Sequence, residues 1–247
     1  CLGVPVRLRR GRRIARPAAE SMLNLNIAAL FLIGTHFGIA STPLRGELIG
    51  RVGERLYRLL YSLLSIVALA WLITAWHAAP LLPVWNAGPG LRHLAILLMP
   101  LAFLLVVCAV TAHNPTGVGQ RPDPDAGTPA VGIIRVTRHP FMWGVGLWAC
   151  LHLLANGDQA SLVFFGTFAV LALAGTVLID ARRTREGAPG WGVFLQATSS
   201  LPLAAILQHR QRFVAREIGL WRVALALGLY VLLFWLHPTL FGVSPLG

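Results

Sequence analysis

The sequence predicts an all-α protein, a polytopic membrane helix bundle of about six transmembrane helices. Three observations predict it. Of 247 residues, 56% are hydrophobic and only 12% charged, about half the charged share of a soluble domain. The mean hydropathy is +0.68. The apolar residues gather in segments of spanning length, and the arginines gather in the short loops between them.

Crossing the hydrocarbon core takes about 20 mainly apolar residues. On that measure residues 23–40, 59–76, 94–112, 161–179 and 220–236 each span. Residues 141–154 are short and reach spanning length only if their helix begins near Gly132, with Pro140 as a kink. Residues 201–207 (LPLAAIL) are too short to cross and read as interfacial or re-entrant. Residues 113–129 (HNPTGVGQRPDPDAGTP) form a turn dense in Pro, Gly and Asp. Residues 1–21 hold six arginines and no apolar periodicity, and Met22 opens the first clean apolar segment. The expected division is therefore a non-native or disordered extension over 1–21 and a membrane domain over 22–247.

All 21 basic residues are arginine, and the net charge is +12. A basic nucleic-acid face would need these charges on one domain. Instead Arg45, Arg51, Arg55 and Arg58, then Arg121, Arg135 and Arg138, then Arg182, Arg183, Arg185, Arg210, Arg212 and Arg216 fall in the loops after segments one, three and five. The intervening loops hold Arg92 alone. By the positive-inside rule the arginine-rich loops are cytoplasmic and both termini periplasmic. The expected partner is the lipid bilayer, with a lipid-soluble or small-molecule substrate and no nucleic acid. Cys1, Cys108 and Cys150 form no CxxC or CxxCH pattern, so a disulfide framework, a zinc ribbon and covalent haem attachment lack support.

An ionisable side chain inside a membrane helix is costly and reads first as functional. Of eight histidines, His77, His93, His113, His209 and His237 fall at segment ends or in loops and read as solvated. His36 lies within the first segment between Gly34 and Gly38, a spacing that lets a neighbouring helix or a flat ligand approach closely. His152 shares a helical face with Phe141, Val145 and Trp148, an apolar aromatic setting that suits a haem ligand. His139 would point about 220° away on a continuous helix, and the two converge only if Pro140 breaks it. At the basic boundary His139 reads equally as interfacial or functional. Asp180, in LIDARR, reads as a solvated ion pair with Arg182 and Arg183, or else as the partner of an inward histidine.

As a set, GTHFGIASTPLR, GERLYRLLYSL, NPTGVGQ, IIRVTRHPFMWGVGLWACLHLLANGD, LIDARR and HPTLFGVSPL resemble the NnrU family over nearly all of residues 22–247. The resemblance implies a multi-pass protein of the bacterial inner membrane, associated with nitric oxide and nitrite reduction. The zeta-carotene isomerase branch of that family holds a noncovalent haem b through two histidines. Its motifs match this chain at His36, His139 and His152, which implies haem b with His36 and His152 as the metal ligands. His139 would tune or replace one of them. The implied chemistry is cis–trans isomerisation of a polyene without net redox.

A second resemblance competes. RHPFMWG is similar to the RHPxYxG of isoprenylcysteine and phospholipid methyltransferases, where it helps bind S-adenosylmethionine. Here Phe141 and Met142 stand where that pattern has its tyrosine, and Ser200–Leu201 precede Pro202 where it has a basic residue. The third expectation is a non-enzymatic accessory protein for denitrification.

Overall fold

A computed structural model describes residues 11–86, 88–122 and 130–246. Residues 1–10 of the expected extension and residues 123–129 of the polar turn lie outside the described residues. The chain is all-α: the described residues form ten α-helices, a π turn and a 3-10 turn, with no strand beyond an isolated bridge between Pro83 and Asp158. It divides into two compact units. The first comprises residues 1–86 and 157–167, the second 87–156 and 168–247.

In the first unit, α1 (Gly11–Thr35) runs into a π turn, His36–Ala40. Residues 11–21 continue α1 on its N-terminal side. Helix α2 (Leu44–Val52) stops at Gly53, whose φ of +82° only glycine takes without strain. Helix α3 (Glu54–Ala78) then packs back on α1. Leu25, Ala28, Ala29 and Leu32 on α1 and Ala68, Leu72 and Ala75 on α3 are buried, at helical spacing on each helix. The chain then enters an extended loop whose Val84 and Trp85 N–H groups both donate to Gly157 O (2.7 and 3.1 Å). Gly157 has φ +93°, and a Cβ there would collide with Trp85 O. Asp158 Oδ1 accepts the Ser161 N–H (2.9 Å) and caps α6 (Gln159–Glu186).

In the second unit, α4 (Pro89–Thr111) packs against α5 (Pro140–Asn156) and α10 (Leu220–Phe241). Gly144 sets the α4–α5 approach. A Cβ there would lie 2.7 Å from Val106 Cγ2 and 3.0 Å from Ala102 O. Short helices α7 (Trp191–Ala197), α8 (Ala204–Leu207) and α9 (Ala215–Ile218) follow α6. One apolar core joins Leu105 and Cys108 of α4, Ile133 and Ile134 of the 3-10 turn, Trp191 and Phe194 of α7, and Ile218 of α9. Residues 201–207, expected to be interfacial, hold only the one-turn α8.

Five helical stretches among the described residues are long and apolar enough to cross a membrane: Pro17–Ala40, Glu54–Ala78, Pro89–Thr111, Gln159–Glu186 and Leu220–Phe241. They leave large apolar side chains such as Leu30, Ile66, Leu97, Val177 and Trp235 exposed, which fits lipid rather than water. Inside them, Thr35, Ser65, Thr111, Thr167 and Thr176 donate their hydroxyls to carbonyls three or four residues back, as hydrocarbon requires. The chain is thus a multi-pass membrane helix bundle. The expected sixth span needs correction. Helix α5 does not begin near Gly132 with a kink at Pro140; it begins at Pro140 and has 17 residues, about 25 Å. Proline suits the first helical position, where its missing N–H costs nothing, and it bars the preceding residue from helical backbone.

Candidate functional site

Because α5 starts at Pro140, Thr137–Arg138–His139 is non-helical, and its backbone groups must find partners elsewhere. The segment 198–203 supplies them. Arg138 N donates to Ser199 O (2.9 Å) and Leu203 N to Val136 O (2.8 Å). Thr137 Oγ1 and Trp143 Nε1 both donate to Ser200 O (2.7 Å each). On the other side Thr116 Oγ1, in the NPTGVGQ turn, donates to Arg138 O (2.7 Å). Arg183 holds that turn by donating to Gly117 O and Gln120 O (3.2 and 2.8 Å).

Asp180 closes the knot. Its Oδ2 accepts Arg138 Nε–H (2.9 Å), and its Oδ1 lies 2.8 Å from His139 Nε2. A carboxylate oxygen accepts, so Nε2 carries the proton and, in the neutral ring, Nδ1 carries the lone pair. His139 is 1% exposed, and its Nδ1 has no partner among the described residues. Two expectations are corrected here. Asp180 is not a solvated partner of Arg182 and Arg183, both of which lie against Glu186 (3.7 and 3.6 Å); it is the partner of an inward histidine. His139 is not interfacial, because the chain after Thr198 folds over it.

A second clamp fixes the segment's other end. Arg135 grips Glu217 with two hydrogen bonds (2.7 and 2.9 Å), and Gly132 N donates to the same carboxylate (2.8 Å). Gly132 has φ +62°, and a Cβ would sit 3.1 Å from Glu217 O. The hydrogen bonds from Arg135, then that from Gly132, hold the Glu217 carboxyl below its ordinary range. Its carboxylate in turn pushes the Arg135 guanidinium further up.

The intramembrane histidines fall one in each unit. In the first, His36 opens the π turn and its Nδ1 lies 2.9 Å from Leu32 O. Its ring meets the edge of Tyr61 (5.7 Å), Tyr61 stacks on Tyr57 (5.8 Å), and the Arg45 guanidinium sits over Tyr57 (5.7 Å). A Cβ on Gly34 or Gly38 would meet nothing within 4 Å among the described residues. These glycines therefore pack no neighbouring helix there; they leave the backbone beside His36 bare. In the second unit, His152 Nδ1 lies 2.9 Å from Trp148 O, with the Trp148 ring 4.9 Å away and Phe168 edge-on to that tryptophan. A carbonyl can only accept, so in both histidines Nδ1 donates and Nε2 carries the lone pair. This is the tautomer a histidine presents to a metal, fixed by the hydrogen bond of its other nitrogen.

His139 is thus brought together with Asp180 and Arg138, His36 with Tyr61, and His152 with Trp148. His139 ends outside α5, so the helical phase expected between it and His152 does not apply. In the sequence Tyr57 and Tyr61 were not singled out, and Arg45 was read only as a loop charge. Their signal was two tyrosines at i, i+4, next to a segment already carrying a histidine. The Thr198–Ser200 segment left no signal, because it works through carbonyl oxygens that any residue has. Among the described residues no group of three or more His, Cys, Asp or Glu could hold a metal ion.

The chain matches the family described as NnrU protein over residues 24–245. It is also similar to a curated relative, the chloroplastic 15-cis-zeta-carotene isomerase of Zea mays. The two are 27% identical over 198 residues, covering 78% of this chain and 53% of that protein. The chain therefore spans about half the length of the curated relative it matches. No solved structure matches it.

Proposed function

Since the chain belongs to the NnrU protein family, we propose that it is a haem b protein of the bacterial inner membrane with cis–trans isomerase-type activity on a lipid-soluble substrate. His36 and His152 would hold the haem iron. The observation that carries this is the shared state of the two histidines. His36 sits in an apolar stretch long enough to span and His152 in the helix α5. Each has Nδ1 donating to the carbonyl four residues back, which makes Nε2 the lone-pair nitrogen. A haem would need only two imidazole nitrogens from the chain, and His36 and His152 would provide them. Similarity to the maize isomerase supports the isomerase-type activity.

When bound, haem supplies an iron able to weaken a conjugated double bond enough for rotation. The chain's own residues do the rest. Leu32 O and Trp148 O orient the two imidazoles. Bare backbone at Gly34 and Gly38 admits a flat group beside His36. Trp148 and Phe168 keep water from His152. His139 acts as a positioning residue: Asp180 and Arg138 anchor the head of the helix that carries His152. A methyltransferase of that pattern would need His139 to meet a water-borne cofactor, yet His139 is buried against Asp180. In this orientation the arginine-rich loops face the cytoplasm and both termini the periplasm.

The test is an absorption spectrum of protein purified from haem-replete cells. The expected result is a Soret band that His36→Ala and His152→Ala abolish or shift and His77→Ala leaves alone. A folded wild-type protein without the band, even after haem is added, would overturn the haem assignment and leave the accessory role in denitrification.

A further inference from the structure

An open cleft of about 470 Å³ in the second unit is lined by Arg138, Leu195, Gln196, Thr198, Ser199, Ser200 and Arg210. The haem assignment makes no use of it. Both arginines converge on one carbonyl, Thr198 O, at 3.1 Å from Arg138 Nη1 and 2.7 Å from Arg210 Nη1. Arg138 spends its Nε on Asp180, and its Nη2 has no partner among the described residues. That nitrogen is not fully buried, and its residue lines the cleft. Arg210 also donates to Gln196 O and Gln208 Oε1, but no carboxylate pairs with it among the described residues. With Asp180 neutralising Arg138, the cleft keeps one uncompensated positive charge and spare N–H donors, beside the hydroxyl-bearing Ser199 and Ser200.

The chain that links two of the lining residues, Ser200 and Arg210, and the three residues after it carry exposed apolar side chains. Leu201, Leu203, Leu207 and Phe213 are all exposed, Leu207 by 76%. Leu203 and His209 are the two non-glycine residues with positive φ among the described residues (65° and 57°), and they bracket α8. Left-handed backbone costs about 1–2 kcal/mol at such residues and persists where the surroundings enforce it. The one-turn α8 is thus held with Leu207 exposed, on the chain between two residues that line the cationic cleft, Ser200 and Arg210. A free anion needs the charge but has no use for these apolar side chains; a lipid phosphate uses both.

We infer that this cleft seats the phosphate of an anionic phospholipid, with Arg138 and Arg210 on the phosphate and α8 against the acyl chains. The test places full-length protein in nanodiscs of phosphatidylcholine, alone or mixed with phosphatidylglycerol, and counts retained lipid by native mass spectrometry. Wild-type protein should retain phosphatidylglycerol preferentially. Arg210→Gln should lower that preference about fivefold, the share of one interfacial arginine. Arg210→Lys should restore most of it, and Arg212→Gln, two residues on, should leave it unchanged. Leu207→Asn, at an exposed position that threatens no core, should also weaken retention. The inference is overturned if wild-type protein shows no preference for phosphatidylglycerol, or if Arg212→Gln weakens it as much as Arg210→Gln. It is also overturned if inorganic phosphate displaces the lipid, since the occupant would then be a free anion. None of these readouts depends on haem.

Discussion

Replacing Asp180 by Asn should be the most damaging single-atom change outside the apolar core. The carboxylate takes hydrogen bonds from Arg138 Nε and His139 Nε2 at 2.9 and 2.8 Å. Side-chain exposure is 13% for Arg138, 0% for His139 and 19% for Asp180. Asn keeps one acceptor oxygen and turns an amide N–H₂ toward the other donor, so one bond survives and the Arg138 charge loses its counter-ion. Breaking a buried pair costs about 3–5 kcal/mol. With the residual exposure of this one, roughly 2–4 kcal/mol is expected. At about 2–4 °C per kcal/mol for a chain of this size, the midpoint of thermal unfolding, followed by tryptophan fluorescence in detergent, should fall by roughly 4–16 °C. Glu186→Gln is the matched control. Its carboxylate is 34% exposed and its arginine contacts are 3.6–3.7 Å, so it should cost about 0–1 kcal/mol. If the two variants unfold within about 1 °C of each other, Asp180 does not hold the segment together and the knot around His139 is not structural.

Three further outcomes are expected. Gly144→Val should destabilise by about 1–3 kcal/mol, because the α4 backbone must move away. Gly34→Ala should be neutral, or stabilising by up to about 1 kcal/mol, because its Cβ enters open space and helix propensity improves; equal losses at both positions in the same melt would refute the packing assigned to α5. For Glu217, whose folded pKa is depressed, the contribution to stability is full above the ordinary glutamate value and is lost as pH falls through the folded one. Midpoints measured from pH 7 downward should therefore drop below about pH 4, and Glu217→Gln should be less stable at pH 7 with a flatter acid limb.

Fold class was legible in the sequence because the bilayer acts on composition: a run of about 20 apolar residues must hydrogen-bond its own backbone as helix, whatever its neighbours. The same local logic made His36 and His152 stand out, and their carbonyl partners lie one turn back on the same helix, within reach of a sequence argument. The start of α5 was misread because length was weighed above proline, whereas the steric rule at the residue before Pro140 decides it. Asp180 was misread because sequence distance favoured Arg182 and Arg183. Arg183, three residues on, is buried but turns to the NPTGVGQ turn and Glu186, while Arg138 and His139, some forty positions earlier, are brought to Asp180 by the packing of the second unit.

By itself, then, the sequence determined a membrane helix bundle and its apolar spans, and it singled out two histidines inside apolar segments, all of which follow from interactions within one helix or between helix and lipid. Tertiary structure alone decided that His139 is buried and bound to Asp180, that Ser199 and Ser200 lend carbonyl oxygens to Arg138, Thr137 and Trp143, and that Arg138 and Arg210 meet at one cleft. Those contacts join residues far apart in the chain through backbone groups common to all amino acids, and only the folded chain brings such groups together.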